Sequence, residues 1–346
     1  MVAAIDIICA SWNRSEAIRP TIDSVLAQSF TDWRLIVVSD GSTDDTDDVV
    51  RSYTDPRVQL IRSRRYGQAG GPRNDGLAIS TAPAIAYLDD DDRWMPDHLA
   101  VLQRAFESGA RLVSTASFGV NQEGVEQYRT DVLNLVWHPD LQLLWPIYEP
   151  SRVGHVRGLP ESVGGWTTDQ NGFEDWDMWL RLADAGERFT PLPDRTVVMY
   201  LSDNSLRHRK ELKYWIDLGA LPDESACDEL TRRLRVPEVQ DELRAMFCAA
   251  STEFHVDRAK LGELCMPAEV TIDMIVERLE ALAKDTSIGM LQDLKFVPED
   301  GEFRVVKPLQ CTTDWHADRL RDYLLRHDSE RMDFVRRLIK EIAPRG

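Results

Sequence analysis

Basic residues are the first shortage in this chain of 346 residues: 41 Lys and Arg stand against 59 Asp and Glu, a formal net charge of −18. A nucleic-acid backbone or an anionic membrane is gripped by fields of Lys and Arg, so this balance argues against both as partners. Long apolar runs are missing too. No stretch reaches the ~18 residues of a membrane span, and Met1-Val2-Ala3-Ala4 leads into a strand-like segment without a charged n-region, so a cytoplasmic location is expected. Cysteine is sparse: Cys9, Cys227, Cys248, Cys265 and Cys311 are odd in number and form no C-x-x-C pair. That argues against a disulfide framework or a zinc site and leaves buried or incidental thiols. No G-x-G-x-x-G follows the first strand-like run, which removes the dinucleotide-binding fingerprint.

What the chain does have is Asp89-Asp90-Asp91-Asp92, directly after the apolar run Ala84 to Leu88 and before Arg93-Trp94-Met95-Pro96. Carboxylates this close raise one another's pKa unless a cation neutralises them, and hard oxygen ligands suit Mg²⁺ or Mn²⁺. A metal held by one or two protein carboxylates shares its other positions with phosphates. A nucleoside diphosphate is therefore the expected ligand.

Over the first two hundred residues, apolar runs alternate with helical spacing. Strands are predicted at Ile5 to Ala10, Trp33 to Ser39, Val58 to Ile61, Ala84 to Leu88 and Leu112 to Thr115. Helices are predicted around Ile18 to Leu26, Thr43 to Ser52, Pro72 to Ile79 and Pro96 to Phe106. This βαβ succession implies an α/β fold with a mostly parallel sheet flanked by helices, whose ligands gather outside the carboxyl ends of the strands. Three such ends then share one edge: Ala10-Ser11-Trp12-Asn13, Ser39-Asp40-Gly41-Ser42 and the aspartate run. Trp12 offers a flat face for a base. Asp40 can accept from an imide N–H, and Gly41 permits the turn that exposes it. Gly67 to Arg73 adds a loop, a helix start and a guanidinium suited to phosphate oxygens.

Several segments together resemble the family-2 glycosyltransferases of the GT-A fold. They are Ala10 to Arg14, Ser24 to Gln28, Val38 to Asp44, Gly71 to Gly76 and Tyr87 to Asp92, followed by Gly164-Gly165-Trp166 and Glu174 to Arg181. The resemblance spans roughly residues 1 to 207. It implies Asp40 as the base-recognising carboxylate, Trp12 as the aromatic near the base, and Arg73 as a contact near uridine or diphosphate. It also implies a D-x-D motif, in which Asp91 is the Mg²⁺ or Mn²⁺ ligand and Asp89 faces the ribose or a metal-bound water. Ala10, Ser11, Trp12, Asn13, Asp40, Arg73, Asp89 and Asp90 are then expected to bind the donor, a UDP-sugar or dTDP-sugar. Asp175 is expected to be the general base of an inverting transfer to a hydroxyl on a glycan, peptide or small molecule. The chain departs from the family pattern at Ser39, where an Asp is usual, and after Tyr200, where His208 is the only histidine within reach. A sugar nucleotidyltransferase would need a Gly-rich arginine loop that Ser11 to Ser15 lacks. A non-catalytic nucleotide-sugar-binding scaffold would have no use for Asp91 and Asp175.

Trp137, Trp145, Tyr148 and Trp166, in the stretch 119 to 172, are expected to wall the acceptor site, though aromatics suit a core equally well. The expected division is a catalytic domain over 1–209 and a mainly helical domain over 210–346. The latter is predicted to carry a small hairpin at Phe296 to Val306, turning at Asp300-Gly301. It could cap the acceptor cleft, pair subunits as a homo-oligomer or bind a protein acceptor.

Overall fold

The structure is a computed structural model that describes residues 2–168, 172–201 and 213–343. It divides into two compact units, Met1–Arg209 with Cys265–Ala268, and Lys210–Leu264 with Glu269–Gly346. His208 lies outside the described residues. Among the described residues, no helix is long and apolar enough to cross a membrane.

The first unit starts with β1 (Ile5–Ser11), α1 (Ile18–Leu26), β2 (Trp33–Ser39), α2 (Thr46–Arg51), β3 (Val58–Arg62), α3 (Gly70–Ile79) and β4 (Ala84–Tyr87). After β5 (Arg93–Trp94) and α4 (His98–Glu107) come β6 (Leu112–Val120), β7 (Glu126–Arg129), the single-turn α5 (Pro139–Gln142), β8 (Val153–Val156), α6 (Leu159–Ser162), α7 (Glu174–Asp184) and β9 (Phe189–Tyr200). The nine strands form one sheet in the order β3-β2-β1-β4-β8-β6-β9-β5, with β7 beside β6. β3, β2, β1 and β4 are mutually parallel. The far half is mixed, because β8 enters antiparallel between β4 and β6. The stretch after β6 therefore contributes two strands, β7 and β8, to the sheet itself.

Alternation along β1 decides what packs where. Ile5, Ile7 and Cys9 point to one face and form the core with Ile18, Ile22 and Val25 of α1 and Leu99 and Leu102 of α4. Ile8 points to the other face, where α3 lies so close that a Cβ on Gly76 would come within 2.7 Å of it. Two boundaries differ from expectation for local reasons. α2 begins three residues after Thr43, because the Asp44 carboxylate takes the Thr46 N–H at 3.0 Å and Asn13 takes the Thr43 N–H at 2.8 Å. Such side-chain acceptors stabilise a turn at the expense of helix. α4 starts at His98, after a turn in which the His98 N–H donates to the Met95 carbonyl.

Most of the aromatics expected to wall an acceptor site are core. Trp137, Tyr148 and Trp166 are buried, as are Trp176 and Trp179, and only Trp145 is exposed. The indole N–H groups explain how the tryptophans tolerate burial: Trp166 Nε1 donates to Tyr87 Oη at 3.1 Å, Trp179 Nε1 to the Tyr148 carbonyl at 2.9 Å, and Trp176 Nε1 to the Gln142 carbonyl at 2.5 Å, whereas the buried Tyr148 hydroxyl has no partner among the described residues. A buried indole that keeps its hydrogen bond contributes its full apolar area at no polar cost. These bonds fix α7, and with it the acidic residues at its start.

The second unit contains β10 (Tyr214–Leu221), α8 (Glu224–Leu234), α9 (Pro237–Lys260), α10 (Ile272–Lys284), β11 (Lys295–Glu299), β12 (Glu302–Leu309), α11 (Asp314–His327) and α12 (Ser329–Ile342). The predicted hairpin is β11 and β12. β10, which the sequence pattern does not predict, adds a third antiparallel strand.

His98 and His155 are buried in the first unit, and desolvation holds them down to about 3 and about 4. His98 stacks on Trp94 and shares a 2.7 Å hydrogen bond with Thr196 Oγ1, and His155 Nε2 lies 2.9 Å from Tyr87 Oη. Their contribution to stability is complete above the unfolded histidine value of 6.5 and is lost as the pH falls toward the folded values. We expect unfolding free energy to drop by about 2 kcal/mol per histidine between pH 7 and pH 5. Denaturant titrations at both pH values check this. His155→Gln should shrink the difference, and an unchanged difference would contradict the assignment.

Candidate active site

Parallel register brings three chain exits to one edge. Ser11 is level with Ser39 across β1 and β2, and Tyr87 ends β4 level with Ile8 of β1. The loop after β1 is fastened to the loop after β2: the Asp40 N–H donates to the Ser11 carbonyl at 2.8 Å, and the Asn13 N–H to Ser42 Oγ at 3.2 Å. Asn13, with φ of +52°, spends its side chain on Thr43. Ala10, half-buried in β1, and buried Ser11 shape this floor through their backbone.

Asp40 is buried beneath it. Its carboxylate accepts the Tyr66 N–H at 2.6 Å and the Gly67 N–H at 2.9 Å, and pairs with the Arg65 guanidinium. Gly41 makes this approach feasible: its φ is +69°, and a Cβ there would sit 3.3 Å from the Arg65 Cβ. Trp12 is 45% exposed, and the Arg65 guanidinium lies 3.9 Å above its ring centre.

The four aspartates face four different surroundings. Asp92 is buried and structural, accepting from Ser151 Oγ at 2.6 Å and the Tyr200 N–H at 3.2 Å. Asp89 pairs with Arg73 at 2.8 Å. Asp90 is buried and Asp91 is one-third exposed, and Arg14 spans them at 3.5 and 3.3 Å. Burial, then the neighbouring Asp91 charge, raise Asp90 to about 7 against the pull of Arg14. Burial and Asp89 likewise hold Asp91 above the ordinary carboxylate value. A pair of oxygen donors kept from ionising freely is a set that a hard divalent cation would relieve. Among the described residues, no group of three or more His, Cys, Asp or Glu is poised to hold a metal alone. Asp90 and Asp91 are thus the carboxylates whose charge a divalent cation would relieve, with the neighbouring Asp89 adding to the charge around Asp91.

Arg73, 4% exposed, links the aspartate run to α7. It reaches Asp89 on one side and Glu174 at 3.4 Å on the other, and its guanidinium lies 4.5 Å over Trp166. Burial opposes its charge, but Asp89, Glu174 and Asp175 more than offset this and leave it above the ordinary arginine value. Buried Asp175 follows Glu174 in the first turn of α7, entered through Gly172 (φ +82°) and Phe173 (φ +64°). Its Oδ1 accepts the Trp176 N–H at 2.8 Å. Asn74 holds the facing loop by two 2.8 Å bonds, donating to the Trp166 carbonyl and accepting its N–H.

The structure thus adds Arg14, Arg65, Asn74 and Ser151 to the residues expected here. No spacing in the sequence links 14 to 90 or 65 to 12. The sole hint is that Arg14 and Asn74 fall inside the motif segments.

Residues 6–163 match the family model for glycosyl transferase family 2. That stretch of the chain is therefore similar to a family-2 glycosyltransferase domain. The chain is 36% identical over 91 residues to the UDP-Glc:alpha-D-GlcNAc-diphosphoundecaprenol beta-1,3-glucosyltransferase WfaP of Escherichia coli, covering 26% of this chain and 36% of that protein. It is 37% identical over 112 residues to the succinoglycan biosynthesis protein ExoO of Rhizobium meliloti, covering 32% of each. The chain spans about a third of the length of these curated relatives. In solved structures, S. aureus TarS 1–349 in complex with UDP-GlcNAc superposes with a TM-score of 0.50 at 19% identity, covering 61% of this chain and 62% of that one. The fold is GT-A.

Removing the Arg73 charge while keeping its length isolates what it does. Arg73→Met leaves Asp89 and Glu174 facing each other unpaired, and should cost roughly 2–4 kcal/mol of stability, toward the lower end because Asp89 is partly solvated. Denaturant unfolding measures this. Adding Glu174→Gln should recover part of the loss, and full additivity of the two losses would rule out the bridge.

Proposed function

We propose that this chain is a metal-dependent, inverting glycosyltransferase that moves a sugar from a UDP-sugar or dTDP-sugar to a hydroxyl-bearing acceptor. The observation that carries the reading is the meeting of Asp40, Asp89 to Asp91 and the Glu174-Asp175 pair at one edge of a family-2 domain, with Arg73 linking the last two. The glucosyltransferase activity in the E. coli relative's name and the UDP-GlcNAc complex of TarS support a uridine nucleotide.

In this reading the base lies near Trp12 and donates its imide N–H to Asp40, which is buried and held by two backbone amides, so its position is fixed before the ligand arrives. Asp91 would hold Mg²⁺ or Mn²⁺, with Asp89 beside it. The cation, when bound, supplies positive charge to the departing diphosphate. Arg73, expected as a contact near the uridine or diphosphate, is 4% exposed and held between Asp89 and Glu174, and in this reading it is a positioning residue that keeps Asp89 and the start of α7 in register. Asp175 accepts the acceptor's hydroxyl proton as that oxygen bonds to the anomeric carbon and the carbon–phosphate oxygen bond breaks. Such general-base help is typically worth ~10²–10⁴ in rate, and a single displacement inverts the anomeric centre. Residues 1–209 are assigned the donor site. Residues 210–346 are assigned acceptor binding or subunit pairing.

Two substitutions separate the parts of this proposal. Asp91→Ala should abolish the tightening of UDP binding by Mn²⁺ while leaving metal-free binding and melting temperature near normal, and unchanged metal-dependent affinity in calorimetry would remove Asp91 from the site. Asp175→Asn keeps the shape but cannot take a proton at neutral pH. It should cut kcat by roughly 10² or more with donor affinity nearly unchanged. Near-normal transfer would show Asp175 to be a helix-start acid and shift the role to Glu174 or Asp177.

A further inference from the structure

We propose that Arg65 is an internal occupant of the nucleobase subsite: in the free protein its guanidinium covers the Trp12 face and pairs with Asp40, and the base enters only when it leaves. The inference rests on the reading of Trp12 and Asp40 as base contacts. It concerns a residue that this reading does not otherwise use.

Three observations carry it. Arg65 belongs to an exposed loop, yet its head makes two specific contacts, an ion pair with buried Asp40 and a stack 3.9 Å from the Trp12 centroid. A guanidinium is planar and carries in-plane N–H donors, so it offers the same two features as an imide base, a flat face for the indole and an N–H for the carboxylate. The capacity of Asp40 is also limited. A carboxylate has about four acceptor positions, and the Tyr66 and Gly67 amides take one on each oxygen, Oδ1 and Oδ2, leaving few for Arg65 and a base to divide. The amides stay with the backbone when Arg65 swings away. Asp40 therefore remains in place and partly neutralised for an incoming ligand.

The consequence is a competition. Apparent affinity for a nucleotide is reduced by the fraction of molecules in which the subsite is free, so removing the occupant should tighten binding. This sign is diagnostic. Loss of a cation near an anionic nucleotide would ordinarily weaken binding, because attraction to the phosphates is lost.

The test is calorimetry of the full chain with UMP in the absence of metal, and with UDP plus Mn²⁺. Arg65→Ala should bind UMP about tenfold tighter than wild type, and Arg65→Lys, which keeps the charge but not the planar stack, about threefold tighter. The gain should vanish in the Trp12→Ala, Asp40→Asn background, where there is no subsite to occupy. Weaker or unchanged binding in both Arg65 variants would overturn the proposal, as would a gain that persists without Trp12 and Asp40. Arg65→Lys serves if Arg65→Ala melts abnormally. Wild-type chain that binds neither UDP nor UMP would overturn the donor-site reading itself, an outcome distinct from wild-type binding with no effect of Arg65.

Discussion

A buried guanidinium shared by two carboxylates is the constraint on which this site depends. Arg73 lies among Asp89, Glu174 and the Trp166 ring, and joins the end of β4 to the start of α7, segments separated by about a quarter of the chain. Arg73, buried, would be an uncompensated charge without the two carboxylates. Breaking one side of a buried pair leaves an uncompensated charge, and that penalty keeps the two segments together. The tryptophan donors behind α7 then set its angle, so that Asp175 is positioned by packing and the Glu174 link by charge.

The same logic extends along the edge. Asp40, Asp90 and Asp91 are partly or fully buried carboxylates, and each faces an arginine: Arg65 for the first, Arg14 for the other two. In the proposed reading this acidic edge stays folded before a cation and a nucleotide arrive, and the half-exposed arginines at its margin neutralise it meanwhile. Arg73 differs from these two in being inaccessible. It belongs to the frame, whereas Arg14 and Arg65 lie where ligands would enter.

Much of this was legible in the sequence because the informative residues are local. Ile5 to Ala10 and Trp33 to Ser39 read as strands from continuous apolar runs, and Asp40-Gly41 reads as a turn because glycine accommodates the positive φ found there. The position of the aspartates past β4 follows from the length of Ala84 to Leu88. Long-range choices were not legible. The insertion of β8 antiparallel between β4 and β6 depends on pairing partners far apart in the chain, and β10 is interrupted by a bulge between Asp217 and Gly219 that hides its alternation. The aromatics of residues 119–172 are composed as well for a sugar platform as for a core. Their burial is decided by where each indole N–H finds a carbonyl or a hydroxyl, which spacing does not reveal. Arg14 and Arg65 escaped for the same reason, since their partners lie across the strand ends.

The central claim is that this edge binds a pyrimidine nucleoside diphosphate together with a divalent cation. Its most direct test is thermal stabilisation of the intact chain by a panel of nucleotide sugars, each measured with Mn²⁺ or Mg²⁺ and with chelator. The account predicts that UDP- or dTDP-sugars raise the melting temperature when the cation is present and much less when it is removed, with GDP- and CMP-sugars inert. Stabilisation that ignores the cation, or none from any pyrimidine nucleotide sugar, would contradict it.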